Sequence, residues 1–356
     1  MKIGIISAWH PEHFSGGVEI YNQQLTNLLK TYYGPHITIE YFTQDRLTIP
    51  KWVIAGKALY APYALARKAS RAGLDLVISH GHYGCGYSDS TPRLHVYHGT
   101  TPGYTRALGK QVSMLSRLKA YLLGKLEKST GRGASHCISV SQWVADEVRK
   151  QYGITSSVVP NFADLPNTTT HKPQKNQVRA IFVGTWETRK GAHLLLPIAR
   201  ALPHITFDIV IGGHAPPENA EYKNLASLPN TTCHFRMPHN MLLSYYANFD
   251  VMVFPTCYEG CSLAILEALA RGALPLCPPV GEGPQLFSHL NLPSNLRISN
   301  NSVDEYLRVL QNYHQLPLTE RRHLREACKK VFTEHYSPQR WSTQMTPILE
   351  TLCEPT

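Results

Sequence analysis

The stretch VMVFPTCYEGCSLAILEALARGALPLCPPVGEG, Val251–Gly283, places two short apolar runs on either side of a helical pattern. Asp250–Phe254 and Ala273–Cys277 have the length and apolar content of buried strands. Between them, the apolar residues of Cys261–Arg271 have helical spacing, and Gly272 stands at the position just past a helix end. The stretch therefore predicts a β-α-β unit, the building block of parallel sheets.

Apolar runs of strand length alternate with amphipathic helical segments along the rest of the chain, which favours the α/β class. In the first half, a helix is predicted to follow Gly16-Gly17 and to end at Gly34. The other predicted strands are Ile3–Ser7, Leu74–Ser79, Leu94–Tyr97, Cys137–Ser141, Arg179–Val183 and Ile205–Ile211, and the other predicted helices are Ala192 to about Leu202 and Met241–Asn248.

A polar stretch rich in proline and threonine, Asn161–Gln177, marks the predicted boundary between two domains. The chain has 356 residues, 43% of them hydrophobic, which is enough for two cores. We expect an N-terminal domain over residues 1–160, a C-terminal domain over residues 161–335, and a terminal segment over residues 336–356.

The net charge of +10 is concentrated in the first half of the chain. Residues 1–160 carry 18 basic and 9 acidic side chains, whereas residues 161–356 carry 17 and 16. Such an asymmetry indicates either an anionic partner for the first half or a solvated basic face. A non-catalytic nucleic-acid-binding protein is one alternative, but the sequence has no recognised RNA or DNA motif and no basic-aromatic stacking platform, so no nucleic-acid partner is expected.

The eight cysteines are scattered, with no C-x-x-C pair, so neither a disulfide framework nor a structural zinc site is indicated. The first apolar run, Ile3–Ile6, is too short for the core of a signal peptide, and no run approaches the roughly 20 residues that span a bilayer. We therefore expect a cytoplasmic protein with reduced thiols.

Three predicted helix starts could bind phosphate through free backbone N–H groups and the helix dipole. They are Gly16-Gly17, Lys190-Gly191 and Gly260–Leu263, and Arg189 adds positive charge to the second. A nucleoside diphosphate group suits such sites better than a neutral ligand does. The sequence has no P-loop motif, so a P-loop nucleotide hydrolase is not expected. It also has no D-x-D pair to hold a divalent metal, so the charge of a leaving phosphate must be met by side chains and helix ends. We expect neither a metal ion nor a cofactor.

Two glutamates stand out in the decisive stretch: Glu259 at the predicted carboxyl end of a strand, and Glu267 eight residues later in the helix. Glu267 lies among Leu263, Leu266 and Ala270, so its carboxylate needs a partner. From spacing alone, two interpretations remain open. In one, the two glutamates belong to a ligand site. In the other, one glutamate stabilises a helix N-terminus and the second is solvated at an apolar edge of the helix.

Val251–Gly283 resembles the E-x7-E signature of retaining glycosyltransferases of family 4. This family has the GT-B fold, with two facing Rossmann-like domains and a C-terminal helix that crosses back to the first domain. Five further segments are similar to parts of the family pattern: Gly16–Glu19, Leu126–Val148, Asn161–Asp164, Gly184–Gly191 and Tyr336–Trp341.

The resemblance implies catalytic roles for three residues. Glu259 would hold the sugar hydroxyls near the reacting centre, and Lys190 would neutralise the diphosphate leaving group. His98, in the sequence HVYHG, matches a family histidine that contacts the donor sugar. A lone histidine is more often structural, and that alternative stays open for His98.

The resemblance also implies donor-binding roles. Glu267 would accept hydrogen bonds from the ribose hydroxyls, and the N–H groups of Ser262 and Leu263 would cradle the phosphates. The glycines Gly16 and Gly17 would let the backbone of the first domain close over the same groups.

Several positions depart from the family pattern. Thr185 stands where an arginine is frequent, so either Arg189 supplies the missing charge or Lys190 acts alone. Cys261 and Ser262 replace the usual Phe and Gly, and Gln285 replaces a frequent Glu; Phe162 likewise replaces a usual Gly. These changes bear on the choice of donor sugar.

The resemblance implies a retaining, metal-independent glycosyltransferase that moves a hexosyl group from a UDP- or GDP-linked sugar to a glycan or lipid-linked acceptor, in glycan, lipopolysaccharide or glycolipid biosynthesis. A GT-B epimerase or phosphorylase would share the donor-side pattern and is the alternative enzyme.

The segment Thr105–Arg132 has a net charge of +6 and apolar residues at helical spacing: Met114, Leu115, Leu118, Leu122 and Leu126. One hypothesis is that the segment forms a single basic amphipathic helix, which lies on the cytoplasmic face of an anionic membrane. The alternative is that the leucines pack into the first domain and the basic residues are only solvated.

Overall fold

All five residues of the strand Leu76–His80 are buried, so the sheet that contains it is covered on both faces. The computed structural model of the protein describes residues 1–13, 16–34, 36–48, 57–163, 177–213 and 215–353. The chain forms two units, Met1–Phe162 with Pro338–Thr356 (unit 1) and Ala163–Ser337 (unit 2).

Unit 1 contains a six-stranded parallel sheet in the order β2-β1-β3-β4-β5-β6. Its strands are β1 (Lys2–Ser7), β2 (Thr38–Thr43), β3 (Leu76–His80), β4 (Arg93–Tyr97), β5 (His136–Ser139) and β6 (Ser157–Val158). Its helices are α1 (Gly17–Tyr33), α2 (Lys57–Ala69), α3 (Thr101–Leu108), α4 (Met114–Arg132), α5 (Gln142–Tyr152) and α13 (Pro338–Cys353). The last helix of the chain therefore belongs to unit 1, where Trp341 packs on Phe162 with ring centroids 5.0 Å apart.

Unit 2 contains a five-stranded parallel sheet in the order β11-β10-β7-β8-β9. Its strands are β7 (Arg179–Thr185), β8 (Thr206–Gly212), β9 (Thr231–Phe235), β10 (Val251–Val253) and β11 (Leu274–Leu276). Its helices are α6 (Leu195–Ala201), α7 (Ala220–Ala226), α8 (His239–Tyr245), α9 (Leu263–Ala270), α10 (Gly283–His289), α11 (Val303–Gln315) and α12 (Leu318–His335).

The predicted β-α-β unit is confirmed as β10-α9-β11. Gly272 has φ +84°, the left-handed conformation that the predicted position past the helix end requires. The helix predicted from Ala192 begins as a 3₁₀ turn, Ala192–Leu194, and becomes α-helical at Leu195. Residues 164–176, most of the predicted boundary stretch and including Asp164 of the resemblance, lie outside the described residues.

The single helix expected within Thr105–Arg132 is wrong. The chain forms α3 and α4 instead, separated at Gly109, whose φ of +56° interrupts the helical path. The alternative prediction, that the leucines pack into the first domain, is also wrong for Leu115, Leu118 and Leu122. These three side chains are exposed, as is Met114. Among the described helices, none is both long and apolar enough to cross a membrane.

Candidate functional site

The strand order of unit 2 reverses between β7 and β10. From β7 the sheet grows through β8 and β9 on one side, and through β10 and β11 on the other. In open parallel sheets, ligands bind outside the carboxyl ends of the strands at such a reversal. The loops that follow β7 and β10 carry Arg189, Lys190 and Glu259, three of the predicted site residues.

These two loops touch at a glycine. Gly191 has φ +69°, and a Cβ on it would lie 1.9 Å from the carbonyl oxygen of Pro255, so only glycine fits there. Beside this contact, the backbone N–H of Cys257 donates to the carbonyl of Arg189 at 2.8 Å. The close approach of the loops brings Arg189 and Lys190 next to Glu259.

Glu259 is shared by two cations. Its Oε1 accepts from Arg189 Nη1 at 2.7 Å and from Lys190 Nζ at 2.5 Å, and the hydroxyl of Thr256 donates to the same oxygen at 3.3 Å. Burial would raise the pKa of Glu259, but the charges of Lys190 and Arg189 outweigh it and hold that pKa below its ordinary value. The three charged side chains are mostly buried and carry a net charge of +1.

The first turn of α9 follows directly. Ser262 caps the helix with an extended backbone conformation and makes no side-chain cap, and Leu263 is the first helical residue. The N–H groups of a helix's first turn have no acceptor within the helix, so they are available to an anion. Gly281, the residue before Glu282, packs against the backbone here: a Cβ on it would lie 2.5 Å from the carbonyl oxygen of Gly260.

Glu267 is buried in α9 and has a partner that the sequence did not predict. His239 Nε2 lies 2.8 Å from Glu267 Oε1, and this hydrogen bond raises the pKa of His239 above its ordinary value, against the effect of burial. Helix α8 begins at His239, two residues before the predicted helix start at Met241. Pro238, which directly precedes the helix, is a signal that could have moved that prediction.

The other three predicted residues lie in unit 1. Gly16 caps α1 and Gly17 opens it, and a Cβ on Gly17 would meet no atom within 4 Å. His98 follows β4, and its Nε2 lies 3.0 Å from His80 Nδ1. Burial lowers the pKa of His98 to about 4, so its imidazole is neutral at neutral pH. His98 is therefore one of a histidine pair rather than a lone histidine.

The strand order of unit 1 also reverses, between β1 and β3. Gly16 and Gly17 follow β1, and His80 is the last residue of β3, so these residues lie at or beyond the carboxyl ends of the two strands that flank the reversal.

Of the predicted site residues, the structure brings Arg189, Lys190 and Glu259 into direct contact and holds Glu267 separately through His239. Among the described residues, no three His, Cys, Asp or Glu side chains form a group that could hold a metal ion.

The chain is similar to several solved structures, among them these three. Sucrose-phosphate synthase from Thermosynechococcus elongatus matches 99% of this chain over 98% of its own length, with a TM-score of 0.77 and 17% identity. The apo form of the lipopolysaccharide outer core galactosyltransferase WaaB matches 99% of each chain, with a TM-score of 0.66 and 13% identity. S. aureus TarM, as a G117R mutant in complex with Fondaparinux, alpha-GlcNAc-glycerol and UDP, matches 82% of this chain and 59% of its own, with a TM-score of 0.62 and 12% identity. The two parallel sheets and these likenesses show the GT-B fold.

Family models cover most of the chain. Residues 38–166 match the model described as Glycosyltransferase Family 4, and residues 167–331 match the model described as Glycosyl transferases group 1. The protein is therefore a glycosyltransferase of the GT-B fold. No curated protein matches the chain by sequence.

Proposed function

We propose that the protein transfers a sugar from a nucleotide-diphosphate sugar to an acceptor hydroxyl, without a metal ion and with retention of the anomeric configuration. The observation that carries the proposal is the cluster of Arg189, Lys190 and Glu259 at the strand-order reversal of unit 2. Its net positive charge is mostly buried, and it directly precedes the first turn of α9. A diphosphate is the anion that such a site fits.

The proposed chemistry depends on stabilising the leaving group. As the bond from the sugar's anomeric carbon to the diphosphate breaks, negative charge develops on the phosphate oxygen. Lys190 would donate to that oxygen from Nζ, and the first-turn N–H groups of Ser262 and Leu263 would donate to the same phosphates. Arg189 would add positive charge for the phosphates and would also hold Glu259 in place, since its guanidinium already contacts that carboxylate at 2.7 Å.

The remaining site residues are assigned to the rest of the donor. We propose that Glu259 accepts hydrogen bonds from the sugar hydroxyls and that Glu267 accepts them from the ribose. In unit 1, the neutral imidazole of His98 would hydrogen-bond the sugar. The open space at Gly17 supports a backbone approach to the phosphates, because the fold itself does not require a glycine there.

The neighbours guide the choice of donors and acceptors to test. The TarM complex contains UDP, and WaaB is named as a lipopolysaccharide galactosyltransferase. We propose a UDP- or GDP-linked hexose as donor and a glycan or lipid-linked hydroxyl as acceptor, in the cytoplasm.

The experiment is to measure release of nucleoside diphosphate from a panel of UDP- and GDP-hexoses, with and without EDTA. Wild type should release the diphosphate equally well in both conditions. Lys190→Met should lose at least tenfold in kcat, because it removes a charge-assisted contact to the leaving group. Lys223→Met, at an exposed lysine of α7, is the matched control and should be unaffected.

Loss of turnover in EDTA that Mg²⁺ or Mn²⁺ restores would contradict the metal-independent chemistry. The anomeric configuration of the product, read by NMR, tests retention, since an inverted product would refute it. Conversion of the donor to a different nucleotide sugar would indicate the epimerase, and dependence on inorganic phosphate would indicate the phosphorylase.

A further inference from the structure

The outer face of α4 exposes large apolar side chains at consecutive turns. The side chains on this face are 39% to 90% exposed: Met114 90%, Leu115 77%, Leu118 55%, Tyr121 57% and Leu122 39%. Their spacing places them on one continuous stripe at roughly 3.6 residues per turn. Scattered apolar residues are normal on a surface, but a contiguous patch marks an interaction site.

Helix α4 does not need this stripe in order to pack. Its opposite face is buried through Ala120, Leu123 and Gly124, and a Cβ on Gly124 would lie 2.6 Å from Pro102 Cγ. On the same face, the carboxylate of Glu127 is buried and accepts from the backbone N–H of Thr101 at 3.0 Å. Contacts on the buried face therefore hold α4 in place, and the exposed apolar stripe is not needed for that packing.

The charged side chains on the exposed face of α4 are all positive. At helical spacing, Arg117 flanks the stripe on one edge and Lys119 on the other, and the same face continues into Lys125 and Arg132. The only acid of α4, Glu127, points inward. Arg117 also donates to the carbonyl of Gly109 at 2.8 Å and so fixes the turn before the helix.

We propose that this face of α4 docks on an anionic lipid membrane. A helix that lies in the membrane interface buries its apolar face among the acyl chains and places lysines and arginines at the headgroups, and both features are present here. A second copy of the chain would bring two cationic faces together, which charge repulsion opposes. A nucleic acid would use the charge but would leave the aliphatic stripe exposed to water.

The length of the stripe also suits docking in which only side chains enter the membrane. Met114 and Leu122 are eight residues apart, which corresponds to about 12 Å of helix, so the contact covers roughly two turns and inserts only side chains. This inference rests on the proposed function in one respect only: a membrane-docked enzyme would act on a lipid-linked acceptor. Docking itself does not depend on the donor site.

The experiment measures co-sedimentation with vesicles of phosphatidylcholine alone and with vesicles in which half the lipid is phosphatidylglycerol. Two triple variants test the apolar and the charged contribution separately: M114Q/L115Q/L118Q replaces three of the five apolar side chains of the stripe, and K119Q/K125Q/R132Q removes three positive charges. The matched control is M241Q/R322Q/K330Q, which makes the same kinds of change at exposed positions of unit 2.

We expect wild type and the control to bind the anionic vesicles at low salt and to be released at high salt. Each basic residue contributes about a fivefold factor near an anionic surface, so K119Q/K125Q/R132Q should bind about a hundredfold more weakly. M114Q/L115Q/L118Q should also abolish binding, because it replaces the most exposed end of the apolar stripe.

Three results would overturn the proposal: equal binding to neutral vesicles, no binding at all, or a dimer in sedimentation velocity that M114Q/L115Q/L118Q dissociates. Hydrolysis of the donor, measured on the same samples without vesicles, should be unchanged in all variants. This measurement distinguishes the present inference from the proposed function. If docking failed while donor hydrolysis stayed intact, only the membrane proposal would be refuted.

Discussion

Replacing Glu259 by Gln should tighten the binding of a free nucleoside diphosphate while it slows sugar transfer. The structure gives the reason: the Glu259 carboxylate lies against both Arg189 and Lys190 and cancels one of their two charges. Because its pKa is held below the ordinary value, the group is anionic at neutral pH. The substitution Glu259→Gln therefore raises the net charge of the cluster from +1 to +2.

The size of the effect follows from Coulomb's law. A phosphate that binds the same two cations would lie about 6 Å from the carboxylate, and at an effective dielectric constant of about 20 the repulsion is about 2.8 kcal/mol per unit charge. Partial exposure and counterions reduce this to about 1 kcal/mol, or about fivefold in affinity. Transfer should nevertheless slow by about tenfold or more, because the glutamine is a weaker acceptor for the sugar hydroxyls.

Isothermal titration of UDP and GDP into wild type and Glu259→Gln measures the first effect, and steady-state turnover measures the second. The gain in affinity should shrink as salt is raised. Glu187→Gln is the matched control, since Glu187 also faces Arg189 but is half exposed and 3.7 Å away, and it should change neither quantity. Weaker diphosphate binding by Glu259→Gln would refute the assignment of these two cations to the phosphates.

Three further predictions follow from named contacts. Gly191→Ala should destabilise the protein by about 3 kcal/mol in urea unfolding, because its Cβ has no room and its φ is positive, whereas Gly212→Ala, with open space around it, should stay within about 0.5 kcal/mol. Glu267→Gln should weaken both free UDP or GDP and the nucleotide sugar by about tenfold in titration calorimetry, in contrast to Glu259→Gln; equal affinities for wild type and Glu267→Gln would remove its role at the ribose. The pKa values of His98 and His82 are lowered to about 4 by burial, so the unfolded chain binds protons that the folded chain does not. Stability should therefore fall as the pH drops from about 6.5 to 4, by about 2 kcal/mol for each histidine, and His98→Gln should reduce that loss.

The parts of the fold that the sequence predicted well are those whose signals lie close together along the chain. The unit β10-α9-β11 has apolar strands of the right length and a glycine whose φ is positive, and each of these signals is written in consecutive residues. The strands β2 and β9 were missed because each is only partly buried and includes polar residues, TIEYFT and TTCHF, so neither has the apolar run that marks a central strand.

The candidate site was predicted as a set of residues but not as an arrangement. Spacing along the chain placed Glu259 and Glu267 in one stretch, yet their partners Lys190 and His239 lie 69 and 28 residues away. The contact of Lys190 with Glu259 depends on the order of β7 and β10 in the sheet, and His239 depends on where α8 begins. The strand order is not encoded in a local pattern, and although Pro238 marks the start of α8, no local pattern shows that His239 lies against Glu267.

Helix α4 shows a different limit, because periodicity reports which residues share a face but not what covers that face. The leucines of the segment have the spacing of a buried stripe, and a buried stripe is the usual outcome. Here small residues decide instead: Ala120 and Gly124 allow α4 to approach its neighbours on the other side, where Glu127 is also satisfied. Once that face is buried, the larger apolar side chains must point to solvent. An exposed apolar stripe costs free energy in water, so its presence next to uniformly positive side chains is best explained by an anionic, apolar surface that covers it.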